Sequence, residues 1–187
     1  MAVCCQGQGL RVLFYDDWPD RANLGKLSLK NPWHLLALGF GPGKCPFAPG
    51  TFGSIASLPV CMVLVYQHLA VQLLVIVLFS TVAWAAIHHT ERDMGEHDNP
   101  HIVADEWAGM FISCLAYPRE WYLTLLALVL FRFFDILKPY PVSYIDRRVP
   151  GAAGTMLDDM AAGVLALVCG HFILTLSYGF YLLDHYG

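Results

Sequence analysis

Between Lys44 and Glu91 the chain runs for 46 residues without one Asp, Glu, Lys or Arg. A helix needs about 20 apolar residues to cross a bilayer core, so this stretch reads as two crossings folded back on each other. Helices apolar on every face belong in a membrane or a large core, and 187 residues make only a small core. The rest of the composition agrees. Charged residues are 14%, against about 25% in ordinary soluble domains, and the mean hydropathy is +0.51. Strands are a poor alternative, because the apolar runs are too long and lack strict alternation. A buried soluble bundle is the weaker reading. The net charge of −4 excludes a nucleic-acid binder that works through bulk positive charge.

The expectation is therefore an all-α, multipass membrane bundle with about five segments: residues 51–66, 71–87, 102–117, 121–137 and 156–183. Pro59 interrupts the first, which membrane helices tolerate. Arg11, Arg21, Lys26, Lys30 and Lys44 precede it and place the N-terminus in the cytoplasm. Alternating from there, Arg92, Arg147 and Arg148 also fall inside, and Arg119 alone falls outside. Residues 1–30 read as a polar leader and 31–187 as one membrane-embedded domain, with no cleavable signal peptide. Cys61, Cys114 and Cys169 lie in apolar segments and Cys4 and Cys5 in the leader, a pattern with neither disulfide framework nor zinc spacing. Trp33, Trp107, Tyr117 and Trp121 sit near segment ends, as interfacial anchors do.

This topology sends the acids to one membrane face. Asp105 and Glu106 open the third segment, Arg132, Asp135 and Lys138 close the fourth, Asp146 follows, and Asp158 and Asp159 open the fifth. Each cluster has a bland explanation, a helix dipole or an i,i+3 pair. Their convergence is harder to dismiss, since ionisable groups in membrane segments are costly. Hard oxygen ligands suit Mg²⁺, and Arg and Lys beside them suit phosphate. The run 39–43 and the turn at Pro49, Gly50 and Thr51 offer backbone N–H groups to the same anion. A site near the headgroups suggests a phosphorylated lipid. The rival is a small cation transporter or channel using the same acids, which would want them nearer the midplane. His88, His89, His97 and His101 read as a polar loop rather than a metal site.

At these residues the sequence resembles the phosphatidylglycerophosphatase A family of Gram-negative bacteria. The resemblance rests on NPWHLLALGFG from Asn31, APGTFGS from Ala48, DMGEHD from Asp93, IVADEWAGM from Ile102, FRFFDILKPYP from Phe131, Asp146-Arg147, and GTMLDDMAAG from Gly154. It implies a Mg²⁺-dependent inner-membrane phosphatase that converts phosphatidylglycerophosphate to phosphatidylglycerol and phosphate at the cytoplasmic face. Membrane lipids are the expected surroundings, nucleic acid is not a partner, and the oligomeric state stays open. The division of roles comes from residue chemistry. Asp105, Glu106, Asp158 and Asp159 are expected to hold Mg²⁺, and Thr51, Arg132 and Lys138 the phosphate. Asp135, three residues from each base, is expected to activate water or, alternatively, to attack phosphorus itself. Lys44 is not counted as a ligand.

Overall fold

The computed structural model describes residues 27–95 and 99–186, with side chains to residue 178. Cys4, Cys5, the leader to residue 26 and His97 lie outside the described residues. Those residues form seven α-helices and one short 3-10 turn, with no strand among them.

A capped turn, α1 (Pro32–Ala37), comes first: Asn31 accepts from the Trp33 N–H, and Pro32 supplies the preset first position. The 3-10 turn Pro42–Lys44 leads to α2 (Pro49–Leu64), which again starts on a proline and carries Pro59 inside. Helix α3 (Leu69–Met94) ends where Gly95 adopts φ 72° and its N–H caps the Glu91 carbonyl. There follow α4 (Ala104–Ser113), α5 (Trp121–Leu137), α6 (Val142–Arg148) and α7 (Ala152–Tyr186).

Helix α4 is the hub, packed against α2, α3, α5 and α7, with all ten of its residues buried. Small residues make this possible. A Cβ on Gly163 would strike the Gly109 carbonyl, and one on Gly109 would strike the Phe131 ring and the Asp159 carbonyl. The α4 and α7 backbones therefore touch, the close approach that small residues allow between membrane helices. Around this crossing Trp107, Met110, Phe111, Phe131, Ala162 and Ala166 close the main core. Trp107 and Tyr117 are thus core residues and not the anchors the sequence suggested, whereas Trp121 is exposed.

Two described helices, α3 (Leu69–Met94) and α7 over Ala152–Tyr178, are long and apolar enough to cross a membrane. The third expected crossing differs most from expectation. Helix α4 is only ten residues, about 15 Å, because residues 114–120 leave the helix through turns. The chain still reaches deep, since Tyr117 packs on His171 and Pro118 and Glu120 line a cavity with Ile173 and Tyr178. Nor does α7 stop at Leu183; it continues through Tyr186. The outer faces are apolar: Val77, Val129 and Val168 are 61%, 64% and 63% exposed. Such a surface is compatible with a hydrocarbon surrounding.

Candidate active site

At one end of the bundle α2, α4 and α7 begin and α5 ends. There a cavity of about 250 Å³ is lined by Pro49 and Gly50, by Asn99, Pro100 and Ile102, and by Asp105, Glu106, Asp135, Lys138, Thr155, Asp158 and Asp159. Five carboxylates thus face one lysine. Each acidic pair has the same local geometry: Asp105 accepts from the Glu106 N–H, and Asp158 from the Asp159 N–H, both at 3.0 Å. Those bonds fix the first acid of each pair, Asp105 on the opening turn of α4 and Asp158 on the second turn of α7, which begins at Ala152 and not at Met156 as the sequence suggested.

The charges are unevenly matched. Arg132 reaches Asp135 at 2.7 Å and Glu106 at 3.3 Å with the same terminal nitrogen, and its other one lies 3.5 Å from the Thr51 hydroxyl. Lys138 donates to Asp146 on α6 and, at 2.8 Å, to Asp158 on α7. Burial works against the lysine's charge, but these two carboxylates outweigh it and hold its pKa above the ordinary lysine range. Lys138 reaches them from a left-handed conformation, φ 43°, at the C-cap of α5. Among the described residues, Asp105 and Asp159 have no cationic partner, though both are 6% exposed. Asp159 also feels the negative charges of Asp105, Asp135, Glu106 and Asp158.

Such an excess of buried negative charge calls for a cation. The donors are all carboxylate oxygens, which fits Mg²⁺ rather than a thiolate- or imidazole-seeking metal. Among the described residues no group of three His, Cys, Asp or Glu is placed to hold a metal ion. Mg²⁺ does not require one: it keeps several waters and binds through one or two carboxylates plus substrate phosphate.

Of the residues singled out from the sequence, Asp105, Glu106, Asp135, Lys138, Asp158 and Asp159 line the cavity. Arg132 and Thr51 stand one layer behind, the guanidinium wedged between α2, α4 and α5. The glycine run 39–43 does not line the cavity but packs on the approach to α4. The Val103 N–H donates to the Ala37 carbonyl, and His101 Nδ1 donates to the Gly43 carbonyl at 2.6 Å. His101 therefore locks two loops together, while His88 and His89 stack on Trp84 and Trp33.

Sequence reasoning passed over Ser54 and gave Asp146 no role. Ser54 is fully buried, its hydroxyl 3.0 Å from the Gly50 carbonyl and 3.3 Å from Glu106 Oε2. Asp146 was seen only as a loop acid, although it holds Lys138. The spacing of Gly50 and Ser54, one turn apart on α2, is the available signal for the first; nothing local pairs Asp146 with Lys138.

The family model described as phosphatidylglycerophosphatase A matches residues 35–174. The chain is 40% identical to phosphatidylglycerophosphatase A of Escherichia coli K12 over 149 residues, which cover 79% of this chain and 87% of that protein. It is 43% identical to phosphatidylglycerophosphatase A of Haemophilus influenzae over 148 residues, 78% of this chain and 90% of that one. A Bacteroides thetaiotaomicron protein, provisionally named a phosphatidylinositol-3-phosphatase, is 35% identical over 142 residues, 72% of this chain and 88% of that one. No solved structure matches. The match to the family model runs from α1 into α7 and includes every residue of the acidic cavity, and on that ground the chain belongs to the phosphatidylglycerophosphatase A family.

Proposed function

We propose that this protein hydrolyses the terminal phosphomonoester of phosphatidylglycerophosphate, releasing phosphatidylglycerol and inorganic phosphate, with Mg²⁺ as cofactor. The observation that carries the reading is the cavity where five carboxylates meet Lys138 at one end of an apolar bundle, in a chain that belongs to this family.

Asp105 and Asp159 would hold the Mg²⁺, with Asp158 paired to Lys138 beside them, and the ion would supply charge neutralisation at the phosphoryl oxygens. Lys138 faces the same space and gives the phosphate a cation. The opening turn of α2 at Gly50 and Thr51 brings backbone N–H groups to the anion. Asp135, held by Arg132 at 2.7 Å, removes the proton from the attacking water, and the proton is finally available to the leaving alkoxide. A volume of about 250 Å³ admits a phosphate with its waters but no acyl chain, so the lipid tails remain in the bilayer.

The protein would sit in the bacterial inner membrane in about five segments, its N-terminus and active site facing the cytoplasm. Arg92, Arg147 and Arg148 share the cavity's end of the bundle, whereas Arg119 is at the other, which supports that orientation. A transporter would hold its acids nearer the midplane, and here they cluster at one end. The test is phosphate release by purified protein in detergent with Mg²⁺. Phosphatidylglycerophosphate is compared with phosphatidate, lysophosphatidate and phosphatidylinositol 3-phosphate. Release from the first, abolished by EDTA and restored by Mg²⁺, is expected. No release from any of them would overturn the enzymatic reading, and a preference for another lipid would overturn the substrate.

A further inference from the structure

Glu106 differs from the other acids of the cavity in how it is seated. A Cβ on Gly50 would collide with its Oε1, and a Cβ on Gly53 with its Oε2, so α2 is bare on the face that receives this carboxylate. Within that groove Oε1 takes a hydrogen bond from Arg132 at 3.3 Å, and Oε2, at 3.3 Å, shares the proton of the buried Ser54 hydroxyl with the Gly50 carbonyl at 3.0 Å. Arg132 also lies 3.5 Å from the Ser54 oxygen, and its next contact is Asp135 at 2.7 Å. Asp105 and Asp159, by contrast, are buried with no cation beside them among the described residues.

We infer that Glu106 is a positioning residue and not a metal ligand: seated on α2 by Gly50, Gly53 and Ser54, it aims Arg132 and through it Asp135. The reason is charge. A carboxylate neutralised by a guanidinium has less to offer a divalent cation than two neighbours whose charge is unmatched. One arginine nitrogen shared between Glu106 and Asp135 also fixes the distance between them, so a shift of Glu106 moves Asp135. The inference rests on the phosphatase reading above for its kinetic part only.

The test uses the full chain in detergent and reads metal binding apart from turnover. Mn²⁺ alone is titrated into wild type, Glu106→Gln, Ser54→Ala and Asp159→Asn, following free Mn²⁺ by electron paramagnetic resonance. Glu106→Gln and Ser54→Ala are expected to keep the Mn²⁺ dissociation constant within about 2-fold of wild type, and Asp159→Asn to weaken it about 10-fold or more. With Mg²⁺ and phosphatidylglycerophosphate, Glu106→Gln should lower kcat about 10-fold or more. Ser54→Ala should lower it about 3- to 10-fold, with KM unchanged in both. The double variant should lose no more than Glu106→Gln alone, because both substitutions cut one chain of contacts.

Mn²⁺ binding by Glu106→Gln weakened as much as in Asp159→Asn would make Glu106 a ligand and overturn the inference. Additive kcat losses would do the same. If Glu106→Gln does not fold, Ser54→Ala decides alone, and a wild-type kcat there overturns it. A wild type that binds Mn²⁺ yet releases no phosphate would remove the phosphatase reading, while the Mn²⁺ titrations still decide the place of Glu106.

Discussion

Gly109 of α4 and Gly163 of α7 meet backbone to backbone, so closely that a Cβ on either would strike the main chain of the other helix. One helical turn before each glycine stands an aspartate, Asp105 and Asp159, and both line the cavity. The crossing that lets two helices touch is thus what brings together two carboxylates that have no cationic partner among the described residues.

That relationship predicts the behaviour of Gly163→Ala. An added methyl must push α4 from α7, and overpacking of this kind costs about 1–3 kcal/mol. A thermal scan in detergent should show Tm lowered by roughly 5 °C, and the Mg²⁺ needed for half-maximal activity should rise. An unchanged Tm would mean that the helices do not cross here.

Asp135→Asn should lose kcat about 100-fold or more while Mn²⁺ binding persists, since a general base contributes on that order. Single-turnover hydrolysis in oxygen-18 water then separates direct attack from a covalent route. Label in the phosphate of the first turnover supports water activated by Asp135; label first in the protein supports attack by Asp135 itself. Near-normal turnover by Asp135→Asn would remove Asp135 from either role.

Lys138 bridges Asp146 and Asp158, so Lys138→Met leaves both acids without it. The expected result is weaker inhibition by inorganic phosphate and a KM raised about 10-fold, with a smaller change in kcat. Lys138→Arg should restore part of the affinity, because the charge returns but its reach and shape differ. Unaltered phosphate inhibition in Lys138→Met would place the anion elsewhere.

His101→Ala removes the donor to the Gly43 carbonyl, leaving a buried acceptor unsatisfied at a cost of about 1–3 kcal/mol. Tm should fall and the Mn²⁺ dissociation constant should not move. A shift in metal affinity would revive the histidine site.

Val77→Lys and Val168→Lys test the surroundings. Both positions are more than half exposed, so in water these substitutions would be almost neutral. At the centre of a membrane helix a lysine costs about 2.5–3.5 kcal/mol. Loss of membrane-inserted protein is expected, and normal accumulation in the soluble fraction would contradict the membrane reading.

The helical class, the apolar exterior and the set of acids are legible in the residues alone. These depend on composition and local order: a long run without charge admits few alternatives, and acids at the starts of apolar segments stand out against it. The partnerships were decided only by tertiary structure. Nothing in the spacing says that Arg132 stands behind the cavity, paired with both Glu106 and Asp135, or that Asp146 on α6 holds the lysine that caps α5. Gly50, which the sequence offers only as part of the turn with Pro49 and Thr51, forms with Gly53 the floor under Glu106. Residues 102–117 read as one continuous helix, but the helix stops after ten residues as a buried hub and the chain goes on through turns. Hydropathy records what a side chain would rather avoid, whereas which neighbour it meets depends on how closely two backbones approach, and that distance is set between helices far apart in the chain.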